Sequence, residues 1–342
     1  GGLCEMIRLP ALDVLSPTTL RDLVETLGTS NGETRILAGG TDLLVNLKQG
    51  MHAPGRLVWL GKVHELRRIS LANDGSLRLG AMSTLSEIAA SVEVRRLYPS
   101  LADAVQTIAS PAIRNSATLG GNLCLDTRCF YYNESEFWRV GLGGCLKLLI
   151  PARDNGDICH AAPGRTTCSA VFSSDTAPLL IALGASVRII GGQGERILPL
   201  SAFYNEDGMH YLALKPGEVL AEVILPQPPP YLRAVHRKVR QRESIDFPLA
   251  NVGIALTSAS NGVCQDVRIV LGAVASAPFR ATAAETVLEG NTPTDERIEQ
   301  ASTEAASCVS PLANIGSTVR YRKRMVKVLV KRALADIMSV LW

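Results

Sequence analysis

Four prolines in five residues, from Pro226 to Pro230 with only Gln227 among them, set the strongest limit on how this 342-residue chain can fold. Proline has no backbone N–H and a fixed φ, so neither a helix nor a sheet ladder continues through such a run. The stretch reads as an extended linker that divides residues 1–227 from residues 231–342. The total length suits two or three domains. Hydrophobic residues at 46% and charged residues at 20% match globular domains, which excludes a disordered chain or a coiled coil. No run nears the roughly eighteen uncharged apolar residues of a membrane span, and the first residues lack the apolar core of a secretory signal. Lys plus Arg total 35 against 32 for Asp plus Glu, too even to point to nucleic acid or a membrane surface. The expectation is a cytoplasmic, multi-domain protein.

Residues 1–60 read as a small α/β unit. Thr18 and Thr19 can cap a helix with Leu20, Val24 and Leu27 on its apolar face. A strand at 35–38, a helix at 41–48 and a strand at 57–60 follow, an order that predicts parallel pairing through a crossover. A second unit, 61–227, opens with strands 66–71 and 77–79 around the turn Ala72-Asn73-Asp74-Gly75. Helices at 84–91 and 100–108, a glycine-rich turn at 118–122, a cysteine segment at 124–168 and a helix-to-strand passage at 177–190 complete it. Beyond the linker, 233–239, 251–257 and 267–274 read as antiparallel strands, with helices at 281–289, 294–307 and 317–340. The last helix places Tyr321, Met325, Val328 and Leu329 on one apolar stripe. Arg322, Lys323, Arg324, Lys327 and Lys331 make a basic face, either solvated or meeting a partner.

Five of the eight cysteines fall between Cys124 and Cys168. A large chain without a secretory signal does not suit a disulfide framework, so clustered thiols point to metal or redox chemistry. Cys4, Cys264 and Cys308 are scattered and read as ordinary packed thiols. Between Cys129, Cys145, Cys159 and Cys168 lie 15, 13 and 8 residues. Four thiolates suit a [4Fe–4S] cluster or a Cys₄ zinc site. The paired knuckles usual for structural zinc are missing, which lowers zinc, but the residues alone leave cluster, zinc and no metal open. His160, beside Cys159, is an alternative ligand, a donor behind the ligands, or a plain loop histidine.

Two glycine segments carry the other chemistry: Ile36-Leu37-Ala38-Gly39-Gly40-Thr41-Asp42-Leu43 and Thr118-Leu119-Gly120-Gly121-Asn122. Glycines let a backbone approach a ligand and offer N–H groups to phosphate oxygens, and a helix start behind the first adds partial positive charge. Neither segment is a P-loop or a G-x-G-x-x-G fingerprint. Two such turns suggest a pyrophosphate gripped from both sides. Histidine-pair zinc motifs, a Gly-x-Ser-x-Gly elbow and the C-x₄-C-x₂-C ferredoxin pattern do not occur.

The pair Leu-Ala-Gly-Gly-Thr-Asp-Leu-Leu and Ala-Thr-Leu-Gly-Gly-Asn resembles the FAD-binding subunit of the molybdenum hydroxylase family, which includes xanthine dehydrogenase and aerobic carbon monoxide dehydrogenase. Further matches are Ser174-Asp175-Thr176-Ala177-Pro178, Ala182-Leu183-Gly184-Ala185 and Glu218-Val219-Leu220. Lys238 with Arg242, Asp246 and Ala250, and Ser317 with Tyr321-Arg322, extend the likeness along nearly the whole chain. The resemblance implies a vanillyl-alcohol-oxidase-type fold: two α/β subdomains clasping FAD, then a C-terminal α+β domain. It assigns Ile36, Leu37, Ala38, Gly39, Gly40, Thr41, Asp42 and Leu43, with Thr118, Leu119, Gly120, Gly121 and Asn122, to the pyrophosphate and ribityl chain. Asp175 would bind a polar part of the cofactor, Leu220 would touch the flavin side, and Lys238 would place a cation near the ring system.

In the common family pattern a Ser-Asp pair follows the second glycine segment closely, whereas here Asn122 and Asp175 are 53 positions apart. The extra chain is similar to the β subunit of 4-hydroxybenzoyl-CoA reductase, through Cys124-Leu125-Asp126-Thr127-Arg128-Cys129-Phe130-Tyr131-Tyr132-Asn133, Phe137-Trp138-Arg139, Gly144-Cys145-Leu146-Lys147 and Cys159-His160. That likeness implies a [4Fe–4S] cluster on Cys129, Cys145, Cys159 and Cys168, with Cys124 as packing behind the flavin turn. The stretch from Leu148 to Asp157 makes a longer connector than that pattern needs. The implied role is electron transfer from reduced ferredoxin. A small subunit with two [2Fe–2S] clusters and a large molybdenum cofactor subunit would receive the electrons, in a dimer of heterotrimers that forms benzoyl-CoA. Two alternatives stand beside it: an ordinary flavin subunit running electrons outward to NAD or a quinone, and a zinc-stapled scaffold without redox role.

Overall fold

The computed structural model describes residues 9, 11–29, 34–148, 158–259 and 261–339. Cys4 and most of the connector before Cys159 lie outside them. In the first unit β1 (Asp13–Leu15), α1 (Leu20–Gly28), β2 (Thr34–Leu37), α2 (Leu43–Lys48) and β3 (Arg56–Trp59) form a parallel sheet ordered β1–β3–β2 with crossover helices. Thr19 caps α1, its hydroxyl accepting from Asp22 N–H at 3.1 Å.

The second unit adds β4 (Ile69–Leu71), β5 (Leu77–Gly80), α3 (Leu85–Ala90), α4 (Val92–Leu97), α5 (Pro99–Gln106), α6 (Pro111–Arg114), α7 (Leu119–Leu123) and α8 (Glu136–Gly141). After the cysteine segment come α9 (Thr176–Ala182), β6 (Ser186–Gly191), β7 (Gly194–Pro199) and β8 (Val219–Leu225). Its sheet is antiparallel in the order β4–β5–β8–β6–β7. The first strand starts at Ile69 rather than at residue 66, because Leu66 turns fully into the core between the two units and its carbonyl accepts from Met82 N–H.

The C-terminal unit holds β9 (Leu232–Val239), β10 (Ala250–Ser258), β11 (Cys264–Gly272), β12 (Phe279–Arg280), α10 (Thr282–Leu288), α11 (Asp295–Ser307) and α12 (Val319–Ser339). Its four antiparallel strands bury one face, Ala250, Val252, Ile254 and Leu256, against its own helices. The other face receives α9: a side chain at Gly253 would overlap the Leu179 backbone, so the strand and the helix meet there at backbone distance. The N-terminal and C-terminal units therefore share a packed junction.

The last helix departs from its expected stripe. Val326, Leu329, Val330, Ala333, Leu334 and Ile337 face the core, and Tyr321 is exposed. Arg322 is fully buried and donates to the carbonyls of Leu249, Leu312 and Ala273. Three carbonyls in separate loops give a guanidinium fork a use that a periodicity argument does not contain. Part of the basic face is satisfied within the unit, since Lys327 and Lys331 both pair with Glu299 of α11. Among the described residues no helix is long and apolar enough to cross a membrane.

Candidate cofactor site

The first glycine segment forms the turn between β2 and α2. A Cβ on Gly39 would overlap the carbonyl oxygen of Ser116, and Gly40 has φ +75°, a region that side chains disfavour. The N–H groups of Gly39, Gly40 and Thr41 make no hydrogen bond to a described residue. Gly39 and Gly40 are half-buried and Thr41 is exposed, and unpaired donors lined up in a tight turn are what an anionic ligand satisfies. This turn fits a pyrophosphate.

The second segment behaves differently from the loop turn expected of it. It opens α7, with Thr118 as cap, and its N–H groups are consumed internally: Leu119 donates to Ser83 O, Gly120 to Ala81 O and Gly121 to Thr118 Oγ1. Its contribution is therefore close approach rather than donors. A Cβ on Gly121 would reach within 3.9 Å of Ala38 Cβ, so the two glycine segments lie side by side. Asn122 Oδ1 accepts from Ser174 Oγ at 2.8 Å, Thr176 Oγ1 at 2.7 Å and Thr176 N–H at 3.2 Å, which places the start of α9 beside the second glycine segment.

Asp175 and Lys238, expected as separate cofactor contacts, form a buried ion pair at 2.9 Å across the junction of the two units. Burial raises the Asp175 carboxyl and lowers the Lys238 ammonium, while each partner opposes the other's shift. Leu220 is packed in the core of the second unit.

His236, two residues before Lys238, has both ring nitrogens inaccessible and unpartnered. Burial, with Lys238 and Arg237 adding to it, depresses its pKa to about 3. The unfolded chain, with an imidazole pKa of about 6.5, takes up a proton before the folded one. Stability from this group is complete above about pH 6.5 and falls as the pH drops toward 3, by up to ~1.4 kcal/mol per pH unit. Urea midpoints compared at neutral and mildly acidic pH should show this loss, and His236→Phe should flatten it.

The cysteine segment folds against the first unit. Tyr132 donates to Met51 O, and Arg139, 3% exposed, donates to Gly50 O and Met51 Sδ. From the other side, buried Asn314 of the C-terminal unit accepts from Phe130 N–H and donates to Ser169 O, next to Cys129 and Cys168. Clamped this way, Cys129, Cys145, Cys159 and Cys168 line one cavity with Tyr131, Lys147 and His160. All four are free thiols. Burial, joined by the neighbouring thiols, pushes Cys129 up to about 11, and burial does the same to Cys168. Metal binding here must therefore release protons.

Among the described residues no group of three or more His, Cys, Asp or Glu side chains is placed to hold a metal ion as the side chains stand. A mononuclear zinc needs thiolates all about 2.3 Å from one centre. His160 bonds Gly144 O through Nε2 at 2.7 Å. Cys124 lies off the cavity, packed against the core with its thiol pushed up to about 12 by burial.

Sequence reasoning did not find the polar network that joins the two sites. The Asp42 carboxylate pairs with Arg128 and accepts from Asp126 N–H at 3.0 Å. Arg128 also donates to Asn46 Oδ1 at 3.0 Å. Asp126 in turn bonds His52 at 3.2 Å and Lys147 at 2.6 Å. Burial alone would raise the Asp126 carboxyl, but His52 and Lys147 outweigh it and hold it at about 2. The inserted segment is thus tied directly to the helix behind the glycine turn. An Arg and a Lys inside a cysteine-rich insertion were the available signal.

A parallel module and an antiparallel module thus meet with the two glycine segments side by side, next to a third unit. The family described as "FAD binding domain in molybdopterin dehydrogenase" matches residues 10–228, and "CO dehydrogenase flavoprotein C-terminal domain" matches residues 235–337. The aldehyde oxidoreductase FAD-binding subunit PaoB of Escherichia coli is 35% identical over 262 residues, 74% of this chain and 79% of that protein. A xanthine dehydrogenase FAD-binding subunit from the same species is 26% identical over 93% of both chains. The solved carbon monoxide dehydrogenase of Hydrogenophaga pseudoflava superposes with TM-score 0.78 at 24% identity, covering 97% of this chain and 99% of its own, a likeness of fold. The chain belongs to the FAD-binding subunits of the molybdenum hydroxylase family, an oxidoreductase family.

Proposed function

We propose that this chain is the FAD- and [4Fe–4S]-bearing electron-transfer subunit of a molybdenum enzyme of the 4-hydroxybenzoyl-CoA reductase type. Residues 1–60 and 61–227 would hold FAD between the two glycine segments, and residues 231–342 would close the site. Reduced ferredoxin is the proposed donor. The proposed partners are a small subunit with two [2Fe–2S] clusters and a large molybdenum cofactor subunit, where the phenolic hydroxyl is removed and benzoyl-CoA forms. The complex would be a cytoplasmic dimer of heterotrimers.

The observation that carries this reading is the convergence on one cavity of four cysteines that are widely spaced in sequence. When bound, such a cluster supplies one-electron transfer and the flavin one- or two-electron transfer. This chain's own residues hold and insulate. Gly39, Gly40 and Thr41 present donors to the pyrophosphate, Asn122 fixes the Ser174–Thr176 backbone, and Asn314 with Arg139 clamps the cysteine segment. The Asp175–Lys238 pair is placed to adjust charge at the junction of the units.

An anaerobic absorption spectrum, with iron, zinc and released flavin quantified on the same sample, tests the proposal. About four irons and one FAD per chain are expected, with broad absorbance that bleaches on adding reduced ferredoxin. FAD without iron would make this an ordinary subunit passing electrons outward to NAD or a quinone. Zinc without FAD would reject both.

A further inference from the structure

We propose that Lys147 sets the electron affinity of the four-cysteine site, as a fixed positive charge that favours the more negative, reduced state of the thiolate-bound group, and that Asp126 opposes it. The inference rests on the cluster reading above and adds to it two residues that are not ligands.

Lys147 is on the cavity wall with the four cysteines, and its side chain is only 6% exposed. Its ammonium donates to Asp126 Oδ1 at 2.6 Å, Thr127 Oγ1 at 2.6 Å and Thr127 O at 3.1 Å. All three protons therefore have acceptors. The group also lies 4.6 Å from the Tyr132 ring centroid and 5.9 Å from that of Tyr211, which keeps water away. A charge held this firmly, out of solvent, is screened less by water and salt than an exposed one.

Asp126 is itself anchored from behind by His52 and by its own N–H to Asp42, and it is not on the cavity wall. The cavity therefore meets the positive end of a Lys147–Asp126 dipole first. One added electron makes the site more negative by one charge, and the near ammonium stabilises that state more than the farther carboxylate destabilises it.

The opposite signs make the test specific. Full-length wild type, Lys147→Met, Lys147→Arg and Asp126→Asn are titrated anaerobically with dithionite, with iron, FAD and far-UV circular dichroism recorded on each sample. Lys147→Met should shift the one-electron equilibrium toward the oxidised state by about tenfold or more, a potential lower by about 59 mV. Lys147→Arg should restore the wild-type value, and Asp126→Asn should raise the potential.

Iron present with an unmoved potential in Lys147→Met overturns the inference alone, as does a shift of both charge-removing variants in the same direction. If Lys147→Met loses its iron, Asp126→Asn decides: a raised potential supports the dipole and an unchanged one rejects it. A wild-type chain without iron overturns the cluster reading and this inference with it.

Discussion

Gly39→Ala is expected to leave the purified chain without FAD. The substituted Cβ would fall inside the Ser116 carbonyl oxygen, a backbone atom that no rotamer change can move aside. The turn after β2 and the loop before α7 must then separate. Overpacking of this kind costs roughly 1–3 kcal/mol in folding. The larger loss lies in the site, because the N–H groups of Gly39, Gly40 and Thr41 are aimed by the same contact. FAD affinity should fall at least ~100-fold, which corresponds to ~2.8 kcal/mol.

Gly121→Ala makes the useful contrast. Its Cβ would meet the Thr118 hydroxyl at 3.0 Å and Ala38 Cβ at 3.9 Å, with no backbone in the way. The fold should survive, with weaker FAD binding from a narrowed cleft. Reconstitution of stripped protein with FAD, followed by fluorescence quenching and thermal melting, separates the two cases. Full FAD retention by Gly39→Ala would show that the first glycine segment does not carry the cofactor.

Arg322→Met should cost about 3–5 kcal/mol of stability, since it leaves buried carbonyls at Leu249, Leu312 and Ala273 without their donor. Burial lowers the guanidinium only to about 10, so it remains charged at neutral pH and each bond is charge-assisted. Lysine cannot span three carbonyls in one plane, so Arg322→Lys should recover little of the loss. The damage should also reach the cysteine site. Leu312 is two residues from Asn314, which holds Phe130 and Ser169 beside two of the four thiols. Urea unfolding followed by circular dichroism, together with counts of reactive thiols in the folded protein, reads both effects. A stability change below about 1 kcal/mol would mean that water or a shifted loop replaces the guanidinium.

The sequence by itself determined a good deal. The proline run separated the C-terminal sheet from the rest, because no ladder crosses it. Apolar periodicity and Thr19 located α1, and the order of strand, helix and strand implied the parallel pairing of β2 with β3. These are local properties, set by bond geometry and by which side of an element is apolar. The four cysteines were legible as a set by their chemistry and by the unusual length between Asn122 and Asp175.

Tertiary structure decided what each polar side chain does, since partners distant in sequence compete for it. The Asp42 carboxylate is held by Arg128, 86 positions away. Asp175 and Lys238, far apart in sequence, form one buried ion pair. Arg322 belonged to a basic face by helical spacing, yet three carbonyls in separate loops draw it into the core. The second glycine segment kept its close approach but lost its donors to Ser83, Ala81 and Thr118. Burying an unpaired polar group costs more than leaving it in water. Which group finds which partner is therefore settled only when the whole chain has packed.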